Sequence, residues 1–332
     1  MTTEEDQTKP CILSTIPLAF QCSPSWNDLR ERYNVIQWED FLKDEDRYLE
    51  KIEIIFVMSS TAFIKESQLK MMRNIKLFQT WGIGTDGIDL ALLQKYKVKL
   101  GNSPGATADA CADFAMTLLL AAARKLTDSI ASVKSDLPDS DQYWDNVIAL
   151  TGKGVSGSSL GIFGMGEIGY EVAKRARGFR MKILYHNRNQ RSKEDEAEVQ
   201  AIYCSSLETL LPQVDFLVIT VPLTPDTRHS LNRDTFKLMK PNAILVNIAR
   251  GGVVNHDDLV DALRNKSIGG AALDVTEPEP LPHDHALLAM HNVIVTPHIS
   301  SCTNEALDAM TKRAVDNIDA AMSGKELIYE VS

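Results

Sequence analysis

The chain has 332 residues, of which 44% are hydrophobic and 24% charged, and its formal net charge at pH 7 is -10. This composition predicts a globular protein with room for two domains, and the acidic balance argues against a general nucleic-acid or anionic-membrane surface. The start of the chain lacks the pattern of a signal peptide, and the longest apolar run, residues 115–123, is too short to span a bilayer. Five scattered cysteines without a CxxC pair indicate a reducing compartment, so we expect a cytoplasmic protein.

The first hundred residues alternate short apolar runs with charged segments that are long enough for helices. Five runs predict strands: CILSTIPL, YNVIQW, KIEIIFVMS, IKLFQT and VKLGN. Such alternation is typical of a parallel sheet covered by helices on both faces.

The middle of the chain carries the strongest helix prediction, residues 109–133, and then residues 134–159, which predict an extended arm or loop. The alternation restarts with six predicted strands: SLGIFGMG, MKILYH, VDFLVITV, AILVNIA, GGAALDV and HNVIVTP. A last helix is predicted over residues 303–324, where Gly324 supplies the stop. We therefore predict an α/β fold with two doubly wound parallel sheets.

The segment GMGEIG places Gly164, Gly166 and Gly169 in a G-x-G-x-x-G pattern between a predicted strand and a predicted helix. In this context Gly164 permits a tight turn, Gly166 lets the main chain approach a pyrophosphate, and Gly169 lets helix and strand pack closely. The N-terminus of the helix faces the anion. The predicted dinucleotide loop also contains Met165, Glu167 and Ile168.

The strand after the glycine helix ends in Asn187 and Arg188, where dinucleotide-binding chains usually carry an acid for the ribose 2′-hydroxyl. An Asn can bond a hydroxyl without repelling a phosphate. The guanidinium of Arg188 matches a 2′-phosphate, and Arg191 is close behind. The sequence thus favours NADP(H), with NAD(H) as the alternative if Arg188 is only a solvated surface residue.

Several further motifs, in chain order, resemble those of the D-isomer-specific 2-hydroxyacid dehydrogenases, in particular the glyoxylate/hydroxypyruvate reductases. They are TWGIGTDGIDL, NSPGATADACADFAMTLLLAAAR, VPLTPDTRHSLN, NIARGGVVN, ALDVTEPEPLP and NVIVTPHISS. The resemblance covers nearly the whole chain after its first ten residues. It implies a Rossmann dinucleotide-binding domain, residues 108–297, inserted into a flavodoxin-like substrate domain of residues 1–107 and 298–332.

The resemblance implies a catalytic trio at Arg250, Glu279 and His298. Arg250 would hold the carboxylate of a 2-oxo acid through its forked donors. His298 would give a proton to the ketone oxygen as hydride arrives from the nicotinamide, and Glu279 would hold the imidazole and favour its charged form. This chemistry needs no metal, and the HDH stretch at residues 283–285 lacks a third spaced ligand.

The resemblance also implies contacts for the substrate and the cofactor. The substrate contacts are Ser60, Thr61, Ile83, Gly84, Arg250 and His298. Beyond the glycine loop and residues 187–188, the cofactor contacts are Thr107, Val221, Pro222, Thr227, Ile248, Ala249, Arg250, Asp274, His298, Ser300 and Ser301. Thr220 stands where the family often has a His, and no role is carried over to it.

The long helix and the arm, residues 110–155, resemble the family's dimerisation element and imply a homodimer. Tyr143 and Trp144 lie on this arm, and large aromatic side chains are good interface anchors. In related reductases a Trp on the arm reaches the substrate cleft of the partner. The present arm departs from the usual glycine- and tryptophan-rich version, and Trp144 is the candidate for that role.

We therefore expect an NAD(P)H-dependent reductase of a small 2-oxo acid, with glyoxylate or hydroxypyruvate as the first choice and no nucleic-acid or membrane partner. One alternative is a dehydrogenase for another D-2-hydroxy acid, such as phosphoglycerate or ketogluconate. The other is a nucleotide-sensing binding protein of the same fold, similar to a corepressor. The trio does not exclude the binding protein, but the sequence shows no long tail for docking a partner.

Overall fold

The computed structural model describes residues 9–58, 64–134 and 143–331. The chain forms two compact units, the first from residues 1–107 and 302–332 and the second from residues 108–301. The second unit thus ends after Ser301, whereas the sequence placed this boundary after residue 297. His298 and the residues around it therefore belong to the second unit.

The sheet of the first unit has five strands: β1 (Cys11–Ser14), β2 (Asn34–Gln37), β3 (Ile52–Val57), β4 (Leu77–Thr80) and β5 (Lys99–Gly101). They are parallel in the order β2-β1-β3-β4-β5, which is the order of flavodoxin-like sheets. All five predicted strands are confirmed, although each is shorter than its apolar run. β1, for example, ends at Ser14, whereas the predicted run continues through Pro17, which has no N–H for a ladder.

Among the described residues, five short helices connect these strands: α1 (Pro24–Arg32), α2 (Trp38–Phe41), α3 (Glu45–Tyr48), α4 (Glu66–Met71) and α5 (Leu90–Lys95). α1 begins behind Ser23, whose hydroxyl accepts the N–H of Trp26, and Pro24 suits the first helical position. The side chain of Trp26 is fully buried and stacks on Phe56 of β3. The helix is thereby anchored to one face of the sheet.

The sheet of the second unit has seven strands: β6 (Ser159–Phe163), β7 (Lys182–His186), β8 (Ala201–Tyr203), β9 (Phe216–Ile219), β10 (Ile244–Asn247), β11 (Gly270–Leu273) and β12 (Val293–Val295). All are parallel, in the order β12-β11-β10-β9-β6-β7-β8. The six predicted strands are confirmed. The prediction missed β8 because it has only three residues and its central Ile202 is 50% exposed.

The described part of the second unit has eight helices: α6 (Ala108–Ala123), α7 (Leu126–Lys134), α8 (Tyr143–Ala149), α9 (Glu167–Gly178), α10 (Lys193–Val199), α11 (Leu207–Leu210), α12 (Arg233–Phe236) and α13 (His256–Arg264). Strand order reverses at β6, between β7 and β9, which opens a crevice at the carboxyl ends of these strands. α9 begins at this crevice, directly after the glycine loop.

Two predictions for the middle of the chain are wrong in detail. The single helix predicted over residues 109–133 is two helices, because Lys125 takes a left-handed conformation with φ of 47° and the carbonyl of Ala123 accepts the N–H of Lys153 at 2.7 Å. The predicted loop of residues 134–159 contains α8. Apolar residues in YWDNVIAL recur at a helical spacing of four, a signal that the surrounding Gly and Ser obscured.

The chain returns to the first unit with the predicted last helix, α14 (Asn304–Met322), which is confirmed. Thr303 caps its start, and Gly324 follows its end with φ of 67°. Met310, Ala314 and Ile318 of α14 are buried in the same core as Trp26. Within the described ranges, no helix is both long and apolar enough to cross a bilayer.

Candidate active site

The glycine loop lies between β6 and α9. Gly164 has φ of 101°, and a β-carbon there would lie 2.6 Å from the backbone nitrogen of Val221. A β-carbon on Gly169 would lie 2.4 Å from the carbonyl oxygen of Gly164. Gly166 caps α9 and faces open space, since no described atom lies within 4 Å of a β-carbon added there. Packing therefore requires two of the glycines, and the third leaves room for an anionic ligand at the helix N-terminus.

The main chain of Met165 in this loop is held by two polar side chains that follow β7. Asn187 accepts the N–H of Met165 at 2.5 Å and donates to its carbonyl at 3.2 Å. Arg191 donates to the same carbonyl at 3.0 Å. Arg191 also lies over the ring of Tyr170 at 4.4 Å and pairs with Asp195 at 2.9 Å. Both side chains thus brace the glycine loop.

Arg188 differs from these two neighbours. Its side chain is exposed and has no hydrogen-bond or ion-pair partner within residues 9–58, 64–134 and 143–331. Of the two arginines that the sequence offered for a 2′-phosphate, Arg191 is therefore engaged with the loop, and Arg188 is available to a ligand.

Sequence reasoning missed Thr220, which follows β9. Its hydroxyl donates to the carbonyl of Gly164 at 2.6 Å, and its N–H donates to the carbonyl of Phe163 at 2.9 Å. Thr220 therefore ties the glycine loop to the neighbouring strand. The only signal in the sequence was its position directly after an apolar run.

Arg250 follows β10 in an extended conformation and precedes a 3₁₀ turn at Gly251–Val253. Asn247, fully buried at the end of β10, donates to the carbonyl of Arg250 at 2.9 Å and accepts the N–H of Ala249 at 3.0 Å. The guanidinium of Arg250 donates to the carbonyl of Ala249 at 2.8 Å. Asn247 thus shapes the turn that presents Arg250, a role that sequence reasoning missed because its partners are backbone atoms.

His298 and Glu279 form a hydrogen-bonded pair in which Nδ1 lies 2.6 Å from Oε1. The second carboxylate oxygen of Glu279 accepts the N–H of Thr276 at 3.3 Å. The side chains of His298 and Glu279 are 35% and 43% exposed, so a small molecule can reach the pair. Because Nδ1 faces Glu279, Nε2 is the ring nitrogen that can meet a substrate.

His298 has a left-handed backbone, with φ of 56°, and Asp274 holds it there. The carbonyl of Asp274 accepts the N–H of His298 at 2.8 Å. Its carboxylate accepts the N–H groups of Ile299 and Ser300 at 2.9 and 2.8 Å and the hydroxyl of Thr296 at 2.6 Å. Asp274, which the sequence placed near the cofactor, therefore also organises the loop that carries His298.

The electrostatics of the pair follow from its surroundings. Burial alone would raise the pKa of Glu279, but the hydrogen bond and charge of His298, the N–H of Thr276 and the charge of Arg250 lower it overall. Glu279 is therefore a carboxylate at neutral pH. A proton donor at His298 has its counter-charge in place, and the cation of Arg250 is close enough to be felt by the same carboxylate.

The other residues predicted to contact the cofactor follow strand ends of the second unit, apart from Thr107, the buried last residue before α6. The hydroxyl of Thr227 donates to the carbonyl of Pro222 at 2.6 Å, which closes the turn after β9. Val221 precedes this turn, Ile248 and Ala249 follow β10, and Ser300 and Ser301 follow β12.

The predicted substrate loop of the first unit follows β4 and carries Ile83 and Gly84. The amide of Asn102 donates to the carbonyl of Ile83 at 3.0 Å, and the side chain of Ile83 is 44% exposed. The loop is thus fixed through its main chain. Two other predicted substrate contacts, Ser60 and Thr61, lie outside the residues that the structure describes.

The HDH stretch has a structural role at its last residue. Nδ1 of His285 accepts the N–H of Leu287 at 3.3 Å and caps a 3₁₀ turn. Among the side chains that the structure describes, no group of three or more is arranged to hold a metal ion.

Fold and site together define a class, the α/β dehydrogenases with a Rossmann unit that binds a nicotinamide dinucleotide. The chain belongs to the D-isomer specific 2-hydroxyacid dehydrogenase family, whose NAD binding domain model matches residues 116–300. It is therefore an oxidoreductase with an NAD-binding domain, as the resemblance in the sequence implied.

Named relatives support this family assignment. The chain is 40% identical to a glyoxylate reductase of Thermococcus litoralis over 280 residues, which are 83% of each chain. It is 37% identical to the glyoxylate reductase/hydroxypyruvate reductase of Homo sapiens over 260 residues, 78% of this chain and 77% of the human one. It superposes with a TM-score of 0.84 and 27% identity on the NADPH-dependent glyoxylate/hydroxypyruvate reductase of Sinorhizobium meliloti in complex with NADP and malonate, covering 98% of both chains.

Proposed function

We propose that the chain reduces a small 2-oxo acid, glyoxylate or hydroxypyruvate, to the D-2-hydroxy acid at the expense of NAD(P)H. The hydrogen bond of 2.6 Å between His298 and Glu279 carries the proposal, because it prepares a proton donor on the sheet edge that also bears Arg250. The reductases of T. litoralis, H. sapiens and S. meliloti support the choice of acid, since each is named for glyoxylate.

The cofactor fits the glycine loop, because the open side of Gly166 admits a pyrophosphate at the N-terminus of α9. When bound, NAD(P)H supplies the hydride. The proposed contacts are Thr107, Gly164, Met165, Gly166, Glu167, Ile168, Gly169, Asn187, Arg188, Val221, Pro222, Thr227, Ile248, Ala249, Arg250, Asp274, His298, Ser300 and Ser301.

Arg250 binds the carboxylate of the acid through its forked donors and so orients the ketone. Negative charge grows on the ketone oxygen during reduction, and His298 neutralises it by donating the proton of Nε2. Glu279 keeps Nδ1 hydrogen-bonded and balances the charge of the imidazolium. In the direction of oxidation, His298 accepts the proton of the hydroxyl. Ile83 and Gly84 are proposed as further substrate contacts.

The oxidation of NADPH and NADH with a panel of 2-oxo acids tests this function. His298→Ala should lower kcat by about 10²–10⁴-fold, because it removes the proton donor. Arg250→Ala should raise KM for the acid and lower kcat/KM. His291→Ala, at a side chain that is 97% exposed, is the matched control and should leave turnover unchanged. Absence of turnover with every acid would favour the nucleotide-sensing binding protein instead.

We further propose a preference for NADP(H) over NAD(H). Asn187 in place of an acid removes a charge that would repel the 2′-phosphate, and the exposed guanidinium of Arg188 supplies an opposite charge at the end of β7. Because Arg191 is already bonded to the carbonyl of Met165 and paired with Asp195, Arg188 is the better candidate for the phosphate ligand.

Arg188→Ala should therefore weaken NADPH binding by about tenfold to a hundredfold, the usual worth of a hydrogen bond to a charged group, and leave NADH binding nearly unchanged. Dissociation constants from cofactor fluorescence measure both effects. Lys182→Ala, at the opposite end of β7, is the control. An equal loss for both cofactors would contradict the preference.

We also propose that the chain is a homodimer that uses α7 and α8. The side chains of Leu126, Ile130 and Val133 on α7 are 50%, 47% and 76% exposed, and those of Trp144 and Ile148 on α8 are 66% and 67% exposed. A group of large apolar side chains left in water is typical of a surface that another protein covers. A second copy of the chain is the proposed partner, with Trp144 as an anchor.

Sedimentation of Ile148→Asp tests the dimer. The variant should be monomeric, because a charge in an apolar interface is costly. Ile202→Asp, at an equally sized and 50% exposed side chain on β8, should leave the mass unchanged.

We place the protein in the cytoplasm, because a reducing compartment would preserve its five cysteines as thiols.

A further inference from the structure

Three chain segments meet at one corner of the second unit, and two of them carry proposed catalytic residues. The turn after β10 carries Arg250, and the loop after β11 carries Glu279. The third segment, residues 227–232 after β9, carries Arg228 and His229. This third segment makes hydrogen bonds to both of the others.

Arg228 and His229 hold the loop after β11 through one carboxylate, Glu277. Nη2 of Arg228 lies 2.6 Å from Oε1, and Nε2 of His229 lies 2.9 Å from Oε2. Burial alone would raise the pKa of Glu277, but the hydrogen bonds from His229 and Arg228 lower it overall. We call these three side chains the Glu277 clamp. Only Pro278 separates Glu277 from Glu279, and the proline ring restricts the main chain between them.

The main chain of the same segment holds the turn after β10. The N–H of His229 donates to the carbonyl of Gly252 at 2.8 Å, and the N–H of Leu231 donates to the carbonyl of Val253 at 3.1 Å. His229 has φ of 50°, a left-handed conformation that residues with a β-carbon rarely adopt. This conformation lets one residue bond the turn with its N–H and the loop with its ring.

The turn and the loop also touch each other directly. A β-carbon on Gly251 would lie 2.0 Å from the carbonyl carbon of Thr276 and 2.6 Å from the nitrogen of Glu277. The backbone that follows Arg250 is therefore pressed against the backbone that leads to Glu279. Glu277 therefore lies next to the turn that follows Arg250 and two residues before Glu279.

We propose that the Glu277 clamp holds Glu279, and through it the proton donor, at a fixed position relative to Arg250. The proposal rests on the proposed function, because it assumes the roles given there to the trio. The clamp acts through Glu279, so its members are positioning residues. Such positioning matters because a misplacement of about 1 Å in an active site lowers the rate by roughly a hundredfold.

Glu277→Gln is the direct test, because it keeps the shape of the side chain and removes its charge. We expect kcat with glyoxylate and NADPH to fall by about tenfold to a hundredfold. The dissociation constant of NADPH should stay unchanged, since the glycine loop is untouched. The thermal midpoint should fall only slightly, because the three side chains of the clamp are partly exposed. Asp234→Asn is the matched control: its carboxylate is 87% exposed and pairs with Lys237 at 2.8 Å, and its loss should leave kcat unchanged.

A second set of variants separates positioning from mere stability. His229→Gln keeps a donor for Glu277 and should retain most of kcat. His229→Leu removes one of the two bonds to Glu277 and leaves that of Arg228, so it should lower kcat less than Glu277→Gln does. Combining His229→Leu with Glu277→Gln should cost little more than Glu277→Gln alone, because the bond that His229→Leu removes is one of the two that Glu277→Gln already weakens. If Glu277→Gln does not fold, Arg228→Gln at a 50% exposed side chain makes the same test.

The outcomes distinguish this proposal from the proposed function. Three results would each overturn the clamp. The first is additive losses of kcat in the double variant, and the second is an unchanged kcat in Glu277→Gln. The third is a fall in kcat accompanied by a similar fold loss of NADPH affinity and a large fall in the thermal midpoint. If His298→Ala abolishes turnover while Glu277→Gln is normal, the clamp alone is wrong. If His298→Ala reduces the acid at the normal rate, the roles proposed for the trio are wrong, and the positioning role of the clamp, which depends on them, is wrong as well.

Discussion

Ionisable side chains meet behind three strands of the second unit, whereas a pair of neutral amides is buried beside β4 and β5 in the first unit. At the ends of β10, β11 and β12, Arg250, Glu279 and His298 are partly exposed and influence one another through hydrogen bonds and charge. In the first unit, Gln79 of β4 and Asn317 of α14 are fully buried and bond to each other at 2.9 Å. Both sheets are parallel, so strand direction does not account for this difference.

This difference fits the two tasks proposed for the two units. The proposed proton transfer needs an accessible ring nitrogen with a counter-charge beside it, as the pair of His298 and Glu279 offers. A loop that offers backbone N–H groups needs only a rigid support, and buried neutral amides give one without the cost of burying a charge. In the first unit, Trp81 beside the predicted substrate loop donates to Thr311 of α14 at 3.0 Å, which extends that support to the last helix.

The largest expected effect comes from the closest backbone contact at the charged edge. Gly251→Ala would push a methyl group into Thr276, whose backbone cannot yield as a flexible side chain would. We expect kcat to fall by more than about a hundredfold, because Arg250 and Glu279 are displaced together. Steady-state kinetics measure the loss. Gly154→Ala, where no described atom lies within 4 Å of the added carbon, should behave as the parent, and wild-type activity in Gly251→Ala would refute the contact.

The second prediction concerns pH and the second unit alone. Burial, and to a lesser degree the charge of His285, lower the pKa of His256 to about 4 from an ordinary value of 6.5. Below pH 6.5 the unfolded chain takes up a proton that the folded unit accepts only near pH 4. The free energy of unfolding should therefore fall as pH decreases through this window, by at most about 3 kcal/mol.

Calorimetric midpoints between pH 7 and pH 4 measure this loss. In His256→Leu the midpoint should depend less steeply on pH, while His291→Gln, at an exposed histidine, should keep the parent slope. The amides of Gln79 and Asn317 in the first unit do not titrate and add nothing to this dependence. Equal slopes for the parent and His256→Leu would show that the buried histidine does not destabilise the fold in acid.

The third prediction addresses the neutral edge. In Gly101→Ala the new carbon would lie 2.3 Å from the amide oxygen of Gln79 and 2.5 Å from the amide nitrogen of Asn317. The two buried amides must separate, and unsatisfied buried polar groups cost about 1–3 kcal/mol. The thermal midpoint of the first unit should fall, while the affinity for NADPH stays unchanged because the glycine loop belongs to the other unit. Gly178→Ala is the control, and an unchanged midpoint in Gly101→Ala would argue against a rigid amide pair.

The smallest effect is expected at the predicted substrate loop. Asn102→Ala removes one hydrogen bond, to the carbonyl of Ile83, which is worth about 1 kcal/mol. KM for glyoxylate should rise by about fivefold with kcat unchanged, because the loop is loosened and the trio is not. Asn74→Ala removes a similar bond, to the carbonyl of Glu50 at 2.7 Å, and should change neither constant. A fall in kcat for Asn102→Ala would contradict the division of tasks between the two edges.

The sequence by itself was sufficient for features that depend on neighbouring residues along the chain. Apolar runs predicted eleven of the twelve strands, and the spacing of Gly164, Gly166 and Gly169 predicted the turn into α9. These signals are local, because side-chain periodicity and the conformational freedom of glycine act within a few residues. The same locality explains the errors at β8, Lys125 and α8, where short or mixed patterns carried little signal.

Only the tertiary structure decided which polar side chains meet. Three such contacts depend on residues that are distant in sequence. Arg191 bonds to Met165 while Arg188 is exposed, and Asp274 holds the loop of His298. The Glu277 clamp joins three loops. A hydrogen bond requires donor and acceptor within about 3 Å and in line. Sequence spacing does not specify such distances between separate strand ends, because they arise only when the parallel strands are assembled into a sheet.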